Sequence, residues 1–229
     1  FWGEPVMGAG GVLMPPAGYW EGVQAILNKY DILLVADEVI CGFGRTGKMF
    51  ACETFNIRPD VLVVSKQITS SYMPLSAILM NDRFYQPIAD ESDRIGSFGH
   101  GYTASGHPVA TAVGLENLKI IQERGLVGHA AELQDIFLSG LAELVKHPVV
   151  HSSRGIGLIG ALEIKPWTDA KPGDAALAVA EAALEAGVIT RNIGEAVCFC
   201  PPLIITAVQI NDMFESMGQA LDKVAKRRV

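Results

Sequence analysis

The 229 residues are 49% hydrophobic and 19% charged, which excludes a disordered chain and leaves ample length for a core. A formal net charge of -7, with no basic block before Lys226-Arg227-Arg228, argues against nucleic acid as the main partner. No apolar run is long enough to span a bilayer and no signal peptide is evident; Cys41, Cys52, Cys198 and Cys200 lack zinc-type pairing and disulfide-scaffold density, so a reducing cytosol is the expected setting.

Taken in chain order, the first half alternates. It opens on a strand-like motif at Phe1. Gly8-Ala9-Gly10-Gly11 hints at a dinucleotide loop, but Pro15-Pro16 follows where a Rossmann helix should already be running. Val23, Ile26, Leu27 and Tyr30 then hold the i, i+3, i+4, i+7 spacing of an amphipathic helix. Residues 32–36 and 61–65 are short apolar runs that read as central strands of a parallel sheet, covered on both faces. The first is closed by Asp37-Glu38-Val39 and the second by Lys66. Between them residues 42–47 form a Gly-rich loop, and residues 75–80 are a further strand. Strand–helix–strand–loop–strand over residues 1–66 is the α/β alternation.

The pattern changes in the second half. A helix starts at His107-Pro108, with proline near its first turn, and ends at Gly125. A second carries Leu133, Ile136, Phe137, Leu141, Leu144 and Val145 on one face and stops before Pro148. Residues 149–151 and 158–163 read as antiparallel strands, and the Ala-rich residues 174–186 as a helix. Cys198-Phe199-Cys200 alternates as a strand does, with both thiols on one face and expected to be structurally buried. Thr206 and Gln209 have capping-box spacing for a last helix, whose basic tail suits a solvated helix end. Together these predict a smaller α+β domain beginning near Gly106.

In open parallel sheets ligands bind beyond the carboxyl ends of the strands, where Asp37 and Lys66 would stand. A buried carboxylate and a buried amine are costly unless something pairs with them. Pyridoxal phosphate, with one protonated ring nitrogen and one aldehyde for an amine, would satisfy both. Each residue also has an ordinary explanation. A lysine at a strand end commonly snorkels, and an aspartate there commonly caps a turn.

Four motifs lift the reading above this. Residues 37–47 (Asp37-Glu38-Val39-Ile40-Cys41-Gly42-Phe43-Gly44-Arg45-Thr46-Gly47), residues 65–75 around Ser65-Lys66, residues 99–108 around Gly101-Tyr102-Thr103, and the opening Glu4-Pro5-Val6-Met7-Gly8 resemble the signature of class III (omega) aminotransferases. The likeness runs along nearly the whole chain and is strongest to the amine:pyruvate branch. Relatives acting on ornithine or 4-aminobutyrate usually carry Gln where this chain has Ile40.

The resemblance implies a fold-type I α/β protein, with residues 1–106 the C-terminal part of the cofactor-binding large domain. Residues 107–229 would supply the connecting helix and small domain. It implies that the chain, which begins without Met, is the C-terminal part of a longer polypeptide whose remainder holds the first strands and the phosphate-cupping loop. Lys66 would bond covalently to the cofactor and then move a proton between the substrate α-carbon and C4′. Asp37 would hold the pyridine nitrogen protonated, with Val39 and Ile40 beside it among the cofactor-binding residues and Val39 against the ring face. Thr103 would reach the cofactor phosphate of the neighbouring subunit of a homodimer. Arg191, in Gly187-Val188-Ile189-Thr190-Arg191, would grip the carboxylate of pyruvate or alanine bidentately, or else form a surface ion pair. His100 and His107 are turn-holding residues, and none of the five histidines has ligand spacing. Gln67 and Ser71 stand where many family members have Gly, which predicts a stiffer lysine loop. Alternatives are an aminomutase, an ω-amino acid transaminase, or a non-catalytic piece without a complete site.

Overall fold

The expected α/β alternation is present in the computed structural model, which describes residues 1–226. The chain forms two units, each with its own sheet and core. The first takes Phe1–Pro5, Pro15–Phe43 and Lys48–Gly125; the second takes Val6–Met14, Gly44–Gly47 and the chain from Leu126.

The first unit contains β1 (Trp2–Gly3), α1 (Tyr19–Lys29), β2 (Val35–Asp37), α2 (Ala51–Thr54), β3 (Val61–Val64), β4 (Ala77–Met80), α3 (Asp82–Ile95) and α4 (Pro108–Glu123). Its sheet runs β1-β2-β3-β4, parallel across the first two pairs and antiparallel at β4. The strand expected over 32–36 is shorter and starts later. At Leu34 the side chain of Asp60 takes the place of a ladder acceptor, its Oδ2 accepting from Leu34 N at 2.8 Å, and Ile32 is exposed rather than covered. The helix face also differs from the expected one. Trp20 and Leu27 are buried with Val23 packed beside them, whereas Ile26 and Tyr30 face outward. The reason is Trp20, whose large ring takes the core and whose Nε1 donates to Pro5 O at 3.1 Å.

Helix α3 is an element the expectations above lack. Phe84, Tyr85, Ile88 and Ala89 hold the i, i+1, i+4, i+5 spacing of a helical face, but Pro87 interrupts the run and no residue of the helix is fully buried. Its ends do carry local signals: Asn81 Oδ1 accepts from Phe84 N at 3.0 Å, and Gly96 closes it in the left-handed region. Helix α4 starts as expected, with Pro108 in the first turn and His107 Nδ1 accepting from Val109 N at 3.3 Å. By contacts α4 belongs with the first unit, so the units part near Gly125 whereas the sequence pattern changes near Gly106.

The second unit contains α5 (Leu126–Leu144), β5 (Val150–Ile156), β6 (Ile159–Ile164), α6 (Asp174–Glu185), β7 (Arg191–Ile193), β8 (Ala196–Phe199) and α7 (Ala207–Lys226). Its antiparallel sheet runs β5-β6-β8-β7. Leu133, Phe137 and Leu141 of α5 are buried as expected; Ile136 lies at the exposed margin and Val145 beyond the helix end. Phe214 of α7 joins Phe137 and Phe199, with ring centroids 5.6 and 5.7 Å away. The capping box forms: Thr206 Oγ1 accepts from Gln209 N at 3.2 Å and Gln209 Oε1 accepts from Thr206 N at 3.0 Å.

Arg45 is buried in this unit and donates to the carbonyls of Leu158 and Pro201 at 3.0 and 2.5 Å. The Gly8–Gly11 turn is likewise anchored rather than open. Arg154 donates to Gly11 O and Val12 O at 2.7 and 3.0 Å while pairing with Glu163 at 2.7 Å. Burial of the thiols holds for Cys41 and Cys52 only. Cys198 is half-buried, and Cys200 lies past the end of β8 and is exposed, because the strand stops at Phe199 before Pro201-Pro202. Of the basic tail, Lys226 ends α7; Arg227 and Arg228 lie outside the described residues. Among those residues no helix is long and apolar enough to cross a membrane, and no His, Cys, Asp and Glu cluster could hold a metal.

Candidate active site

Asp37 is the last residue of β2, and its register partner on the adjacent parallel strand is Val63. Lys66 follows shortly after β3, so the carboxylate and the amine stand at the carboxyl ends of neighbouring strands, whose axes lie about 4.8 Å apart. Sheet polarity alone brings them together from 29 positions apart in sequence, a separation read from the numbering.

The carboxylate is oriented by its surroundings. Asp37 Oδ1 accepts from Val39 N at 3.1 Å, and Oδ2 accepts a long bond from Trp2 Nε1 at 3.4 Å. Val39 and Ile40 are both partly buried in the turn that follows. Glu38, to which the motif assigns no role, is completely buried and points the opposite way. Its carboxylate accepts from Ala51 N at 3.1 Å and Cys52 N at 2.7 Å, satisfying the first amides of α2. Burial pushes the Glu38 carboxyl up from its ordinary range, against the opposing pull of those bonds. The Cys52 thiol beside it is pushed up too, first by burial and then by the Glu38 charge. That thiol is therefore inert packing at neutral pH. The alternation of period two, which sends neighbours to opposite faces, is the signal in the sequence that finds Glu38.

Lys66 opens a 3-10 turn (Lys66–Ile68), and its side chain is exposed, with no hydrogen bond or ion pair among the described residues. The turn is strained. Lys66, Ser70 and Ser71 have φ of 45°, 50° and 62°, a left-handed conformation that costs a non-glycine residue about 1–3 kcal/mol each. Several polar side chains of the turn are tied. Ser65 Oγ donates to Leu75 O at 3.0 Å and Thr69 Oγ1 to Met73 O at 2.6 Å. Asn117 of α4, which no motif singles out, reaches over with three bonds. Its Nδ2 donates to Gln67 O at 2.7 Å and Ile68 O at 3.2 Å, and its Oδ1 accepts from Ser70 Oγ at 2.7 Å.

Thr103 also lies in the first unit, exposed in the turn that precedes α4. Near it Ser105 Oγ accepts from Tyr102 N at 3.1 Å, and His100 stacks edge-on with Phe98 and Tyr102. These contacts hold the turn together around His100. Arg191 lies in the second unit, at the start of edge strand β7 and opposite Cys198. It has no ion-pair partner among the described residues. Burial pushes the Cys198 thiol up, against the opposing charges of Arg154 and Arg191.

The donor set suits pyridoxal phosphate: one oriented carboxylate for a ring nitrogen and one unpartnered amine, both where ligands of parallel sheets bind. A model of the Aminotransferase class-III family matches residues 2–221, and the chain belongs to that family, whose members use pyridoxal phosphate. Particular relatives sharpen this. The structure superimposes with a TM-score of 0.96 on the omega transaminase from Pseudomonas jessenii in complex with PMP, at 51% identity over 99% of this chain and 51% of that one. A transaminase solved with L-Ala gives a TM-score of 0.97 at 50% identity, over all of this chain and 55% of that one. Gamma aminobutyrate transaminase 3 of Solanum lycopersicum is 42% identical over 99% of this chain and 45% of its own length. The chain thus spans about half the length of the relatives it matches.

Proposed function

We propose that the protein is a pyridoxal phosphate-dependent aminotransferase that moves an amino group from a primary amine to pyruvate. The observation that carries this is the juxtaposition of Asp37 and the unpartnered Lys66 at the ends of adjacent parallel strands. When bound, the cofactor ring supplies an electron sink for the substrate α-carbon. Asp37 would keep the ring nitrogen protonated, with Val39 and Ile40 lining the cofactor. Lys66 would anchor the cofactor and, once displaced by the substrate amine, carry the proton from the α-carbon to C4′. Arg191 would hold the acceptor carboxylate. A neighbour solved with L-Ala supports an alanine–pyruvate couple. We read residues 1–106 as part of the cofactor-binding large domain and 107–229 as the connecting helix and small domain. A homodimer, typical of the family, would let Thr103 serve the neighbouring site, and the half-length match to the relatives supports a site that this segment alone leaves incomplete. Four cysteines without the density or spacing of a disulfide scaffold fit a cytoplasmic setting.

Borohydride reduction of the full-length protein loaded with pyridoxal phosphate, followed by peptide mapping, tests the central assignment. The adduct is expected on the peptide containing Lys66. An adduct on another lysine, or none, refutes it. Parallel assays with a primary amine and with an ω-amino acid then separate the two donor classes, and Ile40 favours the first.

A further inference from the structure

The function proposed above needs Lys66 held where its amine can serve both as anchor and as proton carrier. The turn that presents it is one the backbone resists, because Lys66, Ser70 and Ser71 all take positive φ without being glycine. Such conformations persist only where the surroundings over-determine them. The fastener here is Asn117. One amide group donates to two consecutive carbonyls of the turn, Gln67 O and Ile68 O, and accepts from the Ser70 hydroxyl. Gln67 Nε2 closes the ring by donating to Ser70 Oγ at 3.1 Å. The helix that carries Asn117 packs tightly on the turn. At Gly114, one helical turn earlier, an added Cβ would stand 2.8 Å from Leu75 Cδ2 and 3.7 Å from Ile68 O.

We propose that Asn117 is a positioning residue for Lys66, a clamp that holds the turn in its left-handed conformation and thereby sets the direction of the amine. This rests on the aminotransferase reading for its consequence in catalysis, but not for its effect on the turn. The chemistry is specific to a carboxamide. Aspartate would keep the acceptor for Ser70 while turning an anionic oxygen toward two carbonyls, and leucine would keep the volume while removing every bond. Serines at 70 and 71 instead of glycine make the clamp necessary, since glycine would adopt these angles without it.

The test uses the full-length protein. In the cofactor-free form, amide hydrogen exchange read by mass spectrometry should show faster exchange over residues 66–72 in Asn117→Leu and Asn117→Asp, with other peptides unchanged. In the loaded form, both variants should lower the turnover number on the order of 10- to 100-fold, the effect of misplacing a reacting group by about an ångström. KM should change little, and the pH at which the cofactor's visible band titrates should shift. The triple variant Asn117→Leu with Ser70→Gly and Ser71→Gly should recover most of the rate. Lower thermal stability with a wild-type pH profile and wild-type exchange in the turn would make Asn117 a merely structural residue and overturn the proposal. A triple variant no better than Asn117→Leu would do the same. Should Asn117→Leu fail to fold, Ser70→Ala removes the two bonds of its hydroxyl from the same ring while keeping Asn117's bonds to Gln67 O and Ile68 O, and must show the exchange change in lesser degree. Absence of a Lys66 adduct in the wild type would refute the aminotransferase reading instead, and the exchange experiment would still decide the clamp.

Discussion

Glu38 offers a direct test of the reasoning about buried charge at the site. Its carboxylate is wholly inaccessible and satisfies the amides of Ala51 and Cys52. Replacement by alanine leaves two buried N–H groups without acceptors, at about 1–3 kcal/mol each, so roughly 2–6 kcal/mol in all. For a chain of this size each kcal/mol moves the melting temperature by about 2–4 °C, which puts the expected fall at about 4–24 °C. Glutamine keeps an acceptor for one of the two amides and turns its NH2 toward the other, so it should lose about 1–3 kcal/mol at neutral pH.

The two variants also separate by pH. Burial raises the folded-state pKa of Glu38 above its ordinary 4.5. Below 4.5 both folded and unfolded chains hold the proton, and the neutral form's stability is fully present. As pH rises beyond that, the unfolded chain releases the proton first, so stability falls until the folded-state carboxyl has ionised. Glutamine carries no such dependence. The melting temperature of Glu38→Gln minus that of the wild type should therefore grow with pH across this window, measured by calorimetry at fixed ionic strength. A difference that stays constant, or an alanine variant as stable as the glutamine one, would refute the argument.

Asp37→Asn should leave the fold intact while weakening cofactor binding by about 1.5–3 kcal/mol, the worth of a charge-assisted bond, and slowing proton abstraction severely; unchanged turnover would make Asp37 a strand-end residue only. Arg191→Ala should weaken transfer to pyruvate by roughly tens- to hundred-fold, corresponding to about 2–3 kcal/mol, while transfer from an amine lacking a carboxylate survives. Single-turnover measurement of each half-reaction decides it, and an equal fall in both would refute the role. Arg45→Leu, which strips the carbonyls of Leu158 and Pro201 of their donor, should cost roughly 2–5 kcal/mol in a denaturant titration.

Much of this protein is legible in its amino-acid sequence. Short β-branched runs bounded by turn residues mark β2 and β3, because a strand buried in a parallel sheet has no polar face to alternate with. Local chemistry announces the start of α4 through Pro108 and of α7 through Thr206 and Gln209, since caps are satisfied by neighbours in sequence. The same logic puts Asp37 and Lys66 at one edge of one sheet, because parallel pairing aligns carboxyl ends. Other features depend on distant partners and leave no local trace. Asp60 takes the place of a ladder acceptor at Leu34, and Trp20 rotates the face of α1 by seeking Pro5 O. Asn117 lies about fifty residues from the turn it fastens, a bond between side chain and backbone that no local pattern encodes. Composition and spacing determine which residues form elements and which carry chemistry. Only the packed structure decides which polar groups meet, because those contacts are chosen by three-dimensional neighbours that each buried donor and acceptor must find.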